Sequence, residues 1–131
     1  MDSKATFLLL EALVYISTKR QGHYEDADGR IDPVQQVDFL DRLRRGVLPV
    51  SKRSQDLARD IIPVTQAGDA VIRSKSGLLG RDQGSLGWIV GWAEKGEARV
   101  VFALNMDCKE PRHIADRMIV TQACLRDIGK I

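Results

Sequence analysis

Between Ile31 and Gly46 the apolar residues return at about every 3.6 positions. Val34, Val37, Phe39, Leu40 and Leu43 make one stripe, and Gln35, Asp38, Asp41, Arg42 and Arg45 take the opposite side. Asp32 is a suitable N-cap, Pro33 fits the first helical position and Gly46 fits the stop after the last turn, so the pattern predicts a helix between them. Leu48-Pro49-Val50 turns the chain. Ser51 then caps a second predicted helix with Leu57, Ala58, Ile61 and Ile62 as its core face, and Pro63 ends it.

Beyond Pro63 the period changes. Ala70 to Ser76, Leu86 to Glu94 and Ala98 to Met106 read as strands, joined by turns at Arg81–Ser85 and at Glu94-Lys95-Gly96-Glu97. Connections this short make an antiparallel meander. The second and third strands are apolar at nearly every position. Trp88, Val90 and Trp92 point one way and Ile89 the other, while Val100, Phe102 and Leu104 oppose Val101 and Ala103. Such strands belong to a sheet covered on both faces. Pro111 to Asp127 reads as a closing amphipathic helix ended by Gly129, with Ile114, Met118, Ile119, Ala123, Leu125 and Ile128 on its inner side.

The first thirty residues are a separate segment. Ala5 to Ile16 is an apolar run broken by Glu11, and Ser17 to Arg30 is a polar loop with Gly22, Gly29 and several Asp residues. The run is read as a short buried helix. The alternatives are a secretory signal and a tail with no native role. Asp2 offsets Lys4, a Glu interrupts the apolar stretch and no small-x-small site follows, so the features of a signal are incomplete.

Composition narrows the function classes. A chain of 131 residues suits one domain and buries a core without metal or disulfide staples. A net charge of +2, scattered along the chain, argues against a nucleic-acid partner. No stretch reaches the roughly 18 to 20 apolar residues of a membrane helix. Cys108 and Cys124 match no zinc spacing and are expected as unpaired thiols, with a disulfide open if the compartment is oxidising. Neither a cofactor nor a metal is expected. His23 reads as a solvated loop residue and His113 as a cap or surface residue.

The first strand ends in Lys75-Ser76-Gly77; Trp88-Ile89-Val90-Gly91-Trp92 and Phe102-Ala103-Leu104-Asn105-Met106-Asp107 follow it. Together these resemble the C-terminal part of the class D (oxacillinase-type) serine β-lactamases, with penicillin-binding transpeptidases as more distant relatives. Ile31-Asp32-Pro33, Leu48-Pro49-Val50-Ser51 and the closing Leu125-Arg126-Asp127-Ile128-Gly129 extend the likeness from Ile31 to the end. The expected fold is therefore α+β: a three-stranded antiparallel meander with flanking helices, forming the C-terminal part of the β-lactamase/transpeptidase-like fold over residues 31–131, preceded by the segment 1–30.

The resemblance implies a β-lactam or peptidoglycan-like small molecule as ligand and a location outside the cytoplasmic membrane. It implies that Lys75 brings charge to the ligand carboxylate and Ser76 a hydroxyl, that Gly77 permits close approach to the backbone, and that the Leu78 N–H is half of an oxyanion hole. A positive residue early in the last helix completes the carboxylate clamp. Counting back from Gly129 places Arg117 there, with Arg112 as second choice. The family attacks the lactam with the serine of Ser-x-x-Lys. None of Ser3, Ser17, Ser51, Ser54, Ser74, Ser76 and Ser85 has Lys three residues on. The chain is thus expected to hold the docking strand without the nucleophile and to be inactive alone, with a non-catalytic binder and a fragment that complements a separate N-terminal piece as alternatives. The strand from Ala98 to Met106 is expected to keep an open apolar edge that invites self-association.

Overall fold

The computed structural model describes residues 6–9, 33–81 and 84–131. In order they form β1 (Thr6–Leu9), α1 (Pro33–Arg45), α2 (Lys52–Ile61), β2 (Val64–Ala67), β3 (Ala70–Arg81), β4 (Gly84–Lys95), β5 (Ala98–Cys108) and α3 (Arg112–Asp127). The strands make one antiparallel sheet in the order β1-β5-β4-β3-β2. The expected meander is its centre, and the α+β class holds.

Helix ends follow the chain chemistry. Pro33 opens α1; Asp32 lies outside the described residues. Gly46 ends the helix at φ 71, with its N–H on the Leu43 carbonyl at 3.0 Å and the Val47 N–H on that of Arg42 at 2.9 Å. This paired closure needs a residue that tolerates the left-handed region. Gly129 closes α3 in the same way, through Gly129 to Arg126 and Lys130 to Leu125. Ser51 caps α2, its hydroxyl accepting the Ser54 N–H at 3.1 Å.

The inner face of α2 bears out the periodic reading at Ala58 and Ile62, which pack against the α1 side of the core, and departs from it at the other two positions. Leu57 is 53% exposed and Ile61 79%, whereas Gln55 is buried. The Leu48–Val50 turn tucks under the helix with backbone groups that need partners, and the Gln55 amide supplies them. Its oxygen accepts the Leu48 N–H at 3.0 Å, and its nitrogen donates to the carbonyls of Leu48 at 3.2 Å and Val50 at 3.0 Å. Arg59 donates to the last carbonyls of α1, those of Leu43 and Arg44. In α3 the buried residues are His113, Thr121 and Leu125, and Ile119 is exposed.

At the edges the sheet departs from expectation twice. β1 is a strand where a helix was expected. It pairs Thr6 with Asn105 through Leu9 with Phe102, so the predicted open edge of β5 is covered at those positions. A strand apolar on both faces cannot leave its backbone unpaired at little cost, and Thr6-Phe7-Leu8-Leu9 offers a matching strand. The rest of the predicted N-terminal helix, from Leu10 on, lies outside the described residues, as does His23. At the other edge β2, which was not expected, pairs Val64 with Arg73 through Ala67 with Ala70 across a tight turn at Gly68, φ 62.

Side-chain alternation divides the core as the sequence implied. Ile72, Ile89, Ala93, Val100, Phe102 and Leu104 meet Leu125 of α3 on one face. Trp92, Val101 and Ala103 meet Val37, Leu40 and Leu43 of α1 on the other. Gly91 leaves no room for a side chain against β3: a Cβ there would lie 2.0 Å from the Arg73 carbonyl oxygen and 2.8 Å from Ser74 Cα. Both cysteines are free thiols. Burial pushes the thiol of each above its ordinary value of 9.0, and Asp127 adds to the effect at Cys124.

Two expectations follow. Gly91→Ala forces backbone apart in the middle of the sheet and costs about 2–3 kcal/mol or more in chemical denaturation. A thiol raised on folding stays protonated in the native state while the unfolded chain loses its proton, so stability is full below about pH 9 and falls as pH rises through the folded value. In reducing buffer, the Cys108→Ala, Cys124→Ala double variant therefore loses less of its stability than the parent between about pH 8 and 10.

Candidate ligand-binding cleft

β2 bonds β3 only as far as Arg73, and the Ser74 N–H reaches past it to the Pro63 carbonyl at 3.1 Å. From Lys75 onward the outer edge of β3 has no strand partner among the described residues. Backbone groups of an antiparallel strand alternate between its two sides. Since Ser74 bonds outward, the N–H groups of Ser76 and Leu78 also face outward, while Lys75 and Gly77 pair inward with Val90 and Trp88.

The side chains alternate across the sheet. Lys75 shares a face with Val90, on the α1–α2 side, and Ser76 shares a face with Ile89, on the α3 side. Both are exposed. A cleft of about 310 Å³ wraps this edge, with Thr65, Ser74, Lys75, Ser76 and Arg117 as its polar walls and Met118 among its apolar ones. The Lys75 ammonium donates to the Ser76 carbonyl at 2.5 Å and so lies along the open edge.

Arg117 arrives from α3. Its Nη1 donates to the carbonyls of Gly77 at 2.7 Å and Trp88 at 3.2 Å, and its Nε to that of Ile114 at 2.8 Å. The guanidinium therefore leans on two paired strands rather than swinging free. Arg112, the second choice, is exposed, forms an ion pair with Glu110 at 2.7 Å and is absent from the cleft lining. The charge of Arg117 also reaches Cys108, where it partly offsets the upward push of burial.

Two glycines shape this corner. A Cβ at Gly87 would stand 2.6 Å from Cys108 Sγ and 2.9 Å from Arg117 Cδ, so the bare backbone makes the bed in which Arg117 lies. Sequence reasoning missed it, although glycine inside a strand marks a close approach. Gly77 is the opposite case. A Cβ there would meet only Trp88 Cβ, at 3.8 Å, so neighbouring packing does not demand glycine. Gly77 and the half-exposed Leu78 continue the same edge beyond the cleft lining. Lys75, Ser76 and Arg117 are thus brought together at one cleft.

Among the described residues, no group of three His, Cys, Asp or Glu side chains is placed to hold a metal ion, and no helix is long and apolar enough to cross a membrane.

No family model matches the chain. Curated relatives do. The β-lactamase OXA-48 of Klebsiella pneumoniae is 32% identical over 111 residues, which is 85% of this chain and 42% of that protein. OXA-2 of Salmonella typhimurium is 33% identical over 115 residues, 86% of this chain and 40% of that protein. Among solved structures, the class D β-lactamase YbXI from Nostoc superposes with a TM-score of 0.70 at 36% identity, over 77% of this chain and 42% of that one. FUS-1 (OXA-85), a class D β-lactamase from Fusobacterium nucleatum subsp. polymorphum, gives 0.69 at 25% identity with the same coverage. The chain spans about two-fifths of the length of these relatives. In sequence and in fold it belongs with the class D β-lactamases, matching their C-terminal part.

Proposed function

We propose that this chain is a β-lactam-docking portion of a class D β-lactamase that binds its ligand without opening the ring. The observation carrying this reading is the shared cleft of Lys75, Ser76 and Arg117 at the unpaired edge of β3. Two fixed cations and a hydroxyl around an open strand edge suit a small anion that also carries amide groups. The carboxylate of a β-lactam meets Lys75, Ser76 and Arg117. Its amides lie along the outward N–H and carbonyl groups of Ser76 and Leu78, as an extended peptide lies on a sheet edge. Glycine at position 77, which its neighbours do not require, leaves that approach clear.

Hydrolysis needs a nucleophile paired with a base, and no Ser-x-x-Lys occurs among the 131 residues. The Leu78 N–H polarises the lactam carbonyl from one side only, and no serine follows to attack it. The relatives named above are β-lactamases. A location outside the cytoplasmic membrane is part of the same proposal.

A second reading rests on a different feature. Between α1, α2 and the sheet lies a groove of about 640 Å³ whose walls include Phe39, Leu43, Val50, Ile61 and Val90, with Lys75 at its rim. Phe39, Val50 and Ile61 are exposed. An apolar opening of this size beside the docking edge fits a separate polypeptide that supplies the remaining part of the enzyme.

The test has three parts. The purified chain leaves nitrocefin unhydrolysed and takes no covalent label from a fluorescent penicillin; a labelled side chain refutes the non-hydrolytic reading. Benzylpenicillin titrated into labelled protein produces saturable shifts at Lys75, Ser76 and Arg117, and Arg117→Met weakens that binding about ten- to a hundredfold, the loss of a charge-assisted contact. Silence in the titration refutes docking. Nitrocefin turnover that appears only when residues equivalent to the family's N-terminal part are added supports the second reading.

A further inference from the structure

The connection from β5 to α3 is short: Lys109, Glu110 and Pro111. Proline has no N–H, so the segment carries two backbone donors. Both go to one atom, His113 Nδ1, at 3.1 Å from the Lys109 nitrogen and 3.3 Å from that of Glu110. The ring is 1% exposed. An imidazole that accepts at Nδ1 carries its neutral-state proton on Nε2.

The head of α3 has no side-chain cap at Pro111 and no acidic residue in its first turn. Its first-turn donors turn to backbone instead, the Ile114 N–H reaching the Pro111 carbonyl at 3.2 Å. Two further ties meet at the same place: the His113 N–H donates to the Glu110 carbonyl at 3.0 Å, and the Cys108 side-chain thiol donates to the His113 carbonyl at 3.6 Å. One residue thus holds the end of β5, the connection and the start of α3.

Arg117 lies one turn after His113 on the same side of the helix. Its reach to the Gly77 and Trp88 carbonyls depends on how α3 is rotated and how far it has slid along the sheet. We propose that His113 is a positioning residue for Arg117: by accepting both donors of the β5–α3 connection it sets the phase of α3, and so holds the guanidinium at the cleft for an anionic ligand. The ligand half of this inference rests on the docking reading above; the placement half stands on the hydrogen bonds alone.

The test compares His113→Asn with His113→Phe in the full chain. An asparagine oxygen falls near the place of Nδ1 and accepts both N–H groups, whereas phenylalanine keeps the ring and offers no acceptor. In ligand-free protein, hydrogen exchange at Arg117 Nε–H, followed by NMR, is about tenfold faster or more in His113→Phe and stays near the parental rate in His113→Asn, because two buried donors have lost their acceptor in one and not the other. The dissociation constant for benzylpenicillin follows the same order, weaker by about tenfold in His113→Phe and restored by asparagine. Should His113→Phe not fold, His113→Gln, whose oxygen falls near Nε2 instead, takes its place with the same expectation. Unchanged Arg117 exchange in the variant lacking the acceptor, or equal loss in His113→Asn, overturns the proposal. Absence of benzylpenicillin binding in every form, with the exchange pattern as expected, overturns the docking reading and leaves the placement of Arg117 standing.

Discussion

Everything in this fold answers to β5. All nine of its residues from Val100 to Cys108 are buried. A strand shut off from water on both faces has to be bonded on both edges and covered above and below, or its backbone groups lose their partners. β4 runs the whole length of one edge, and β1 takes the other from Phe102 to Asn105. α3 covers Phe102 and Leu104, and α1 covers Val101 and Ala103. The layers on either side of the sheet are the response to that one apolar segment, and β3, two strands away, carries the bare edge from Lys75 onward.

The cleft uses this gradient. β2 is long enough to bond β3 through Arg73, and the following N–H is taken by Pro63, so pairing ceases where Lys75 begins. Its other wall comes from α3, fastened to the buried sheet by Leu125 and to the surface of β3 and β4 by Arg117. A soft feature, a bare strand edge, is thereby set against two rigid ones. That is the arrangement a binding site needs if its polar groups are to be in place before the ligand arrives.

Legibility in the sequence followed how local each determinant was. Gly46, Gly129 and Ser51 act through bonds within a few residues, and all three stand where the chain pattern put them. The split of β4 and β5 into two apolar faces was readable because alternation is a property of each strand alone. Gln55 was not: its burial is decided by the Leu48–Val50 backbone folding beneath it, so the apolar periodicity of Leu57 and Ile61 pointed to the wrong side of α2. β1 was misread as helix because a four-residue apolar strand and a short buried helix look alike until a partner edge is known. In the cleft, Lys75, Ser76 and Arg117 were nameable from resemblance. Gly87 and His113 were not, because their significance lies in what stands over them: a guanidinium in one case, two amide groups in the other.

Helix α2 is attached differently from its neighbours. α1 and α3 press leucines into the sheet, while α2 adds only the partly buried Ala58 to that packing; its one buried residue is an amide, and it is tied by the Gln55 bonds to the Leu48–Val50 turn and the Arg59 bonds to the end of α1. Water competes for ties of that kind far better than for buried hydrocarbon. By that physics α2 opens at lower cost than α1 or α3, and its departure widens the groove beneath it while the central strands keep their pairing.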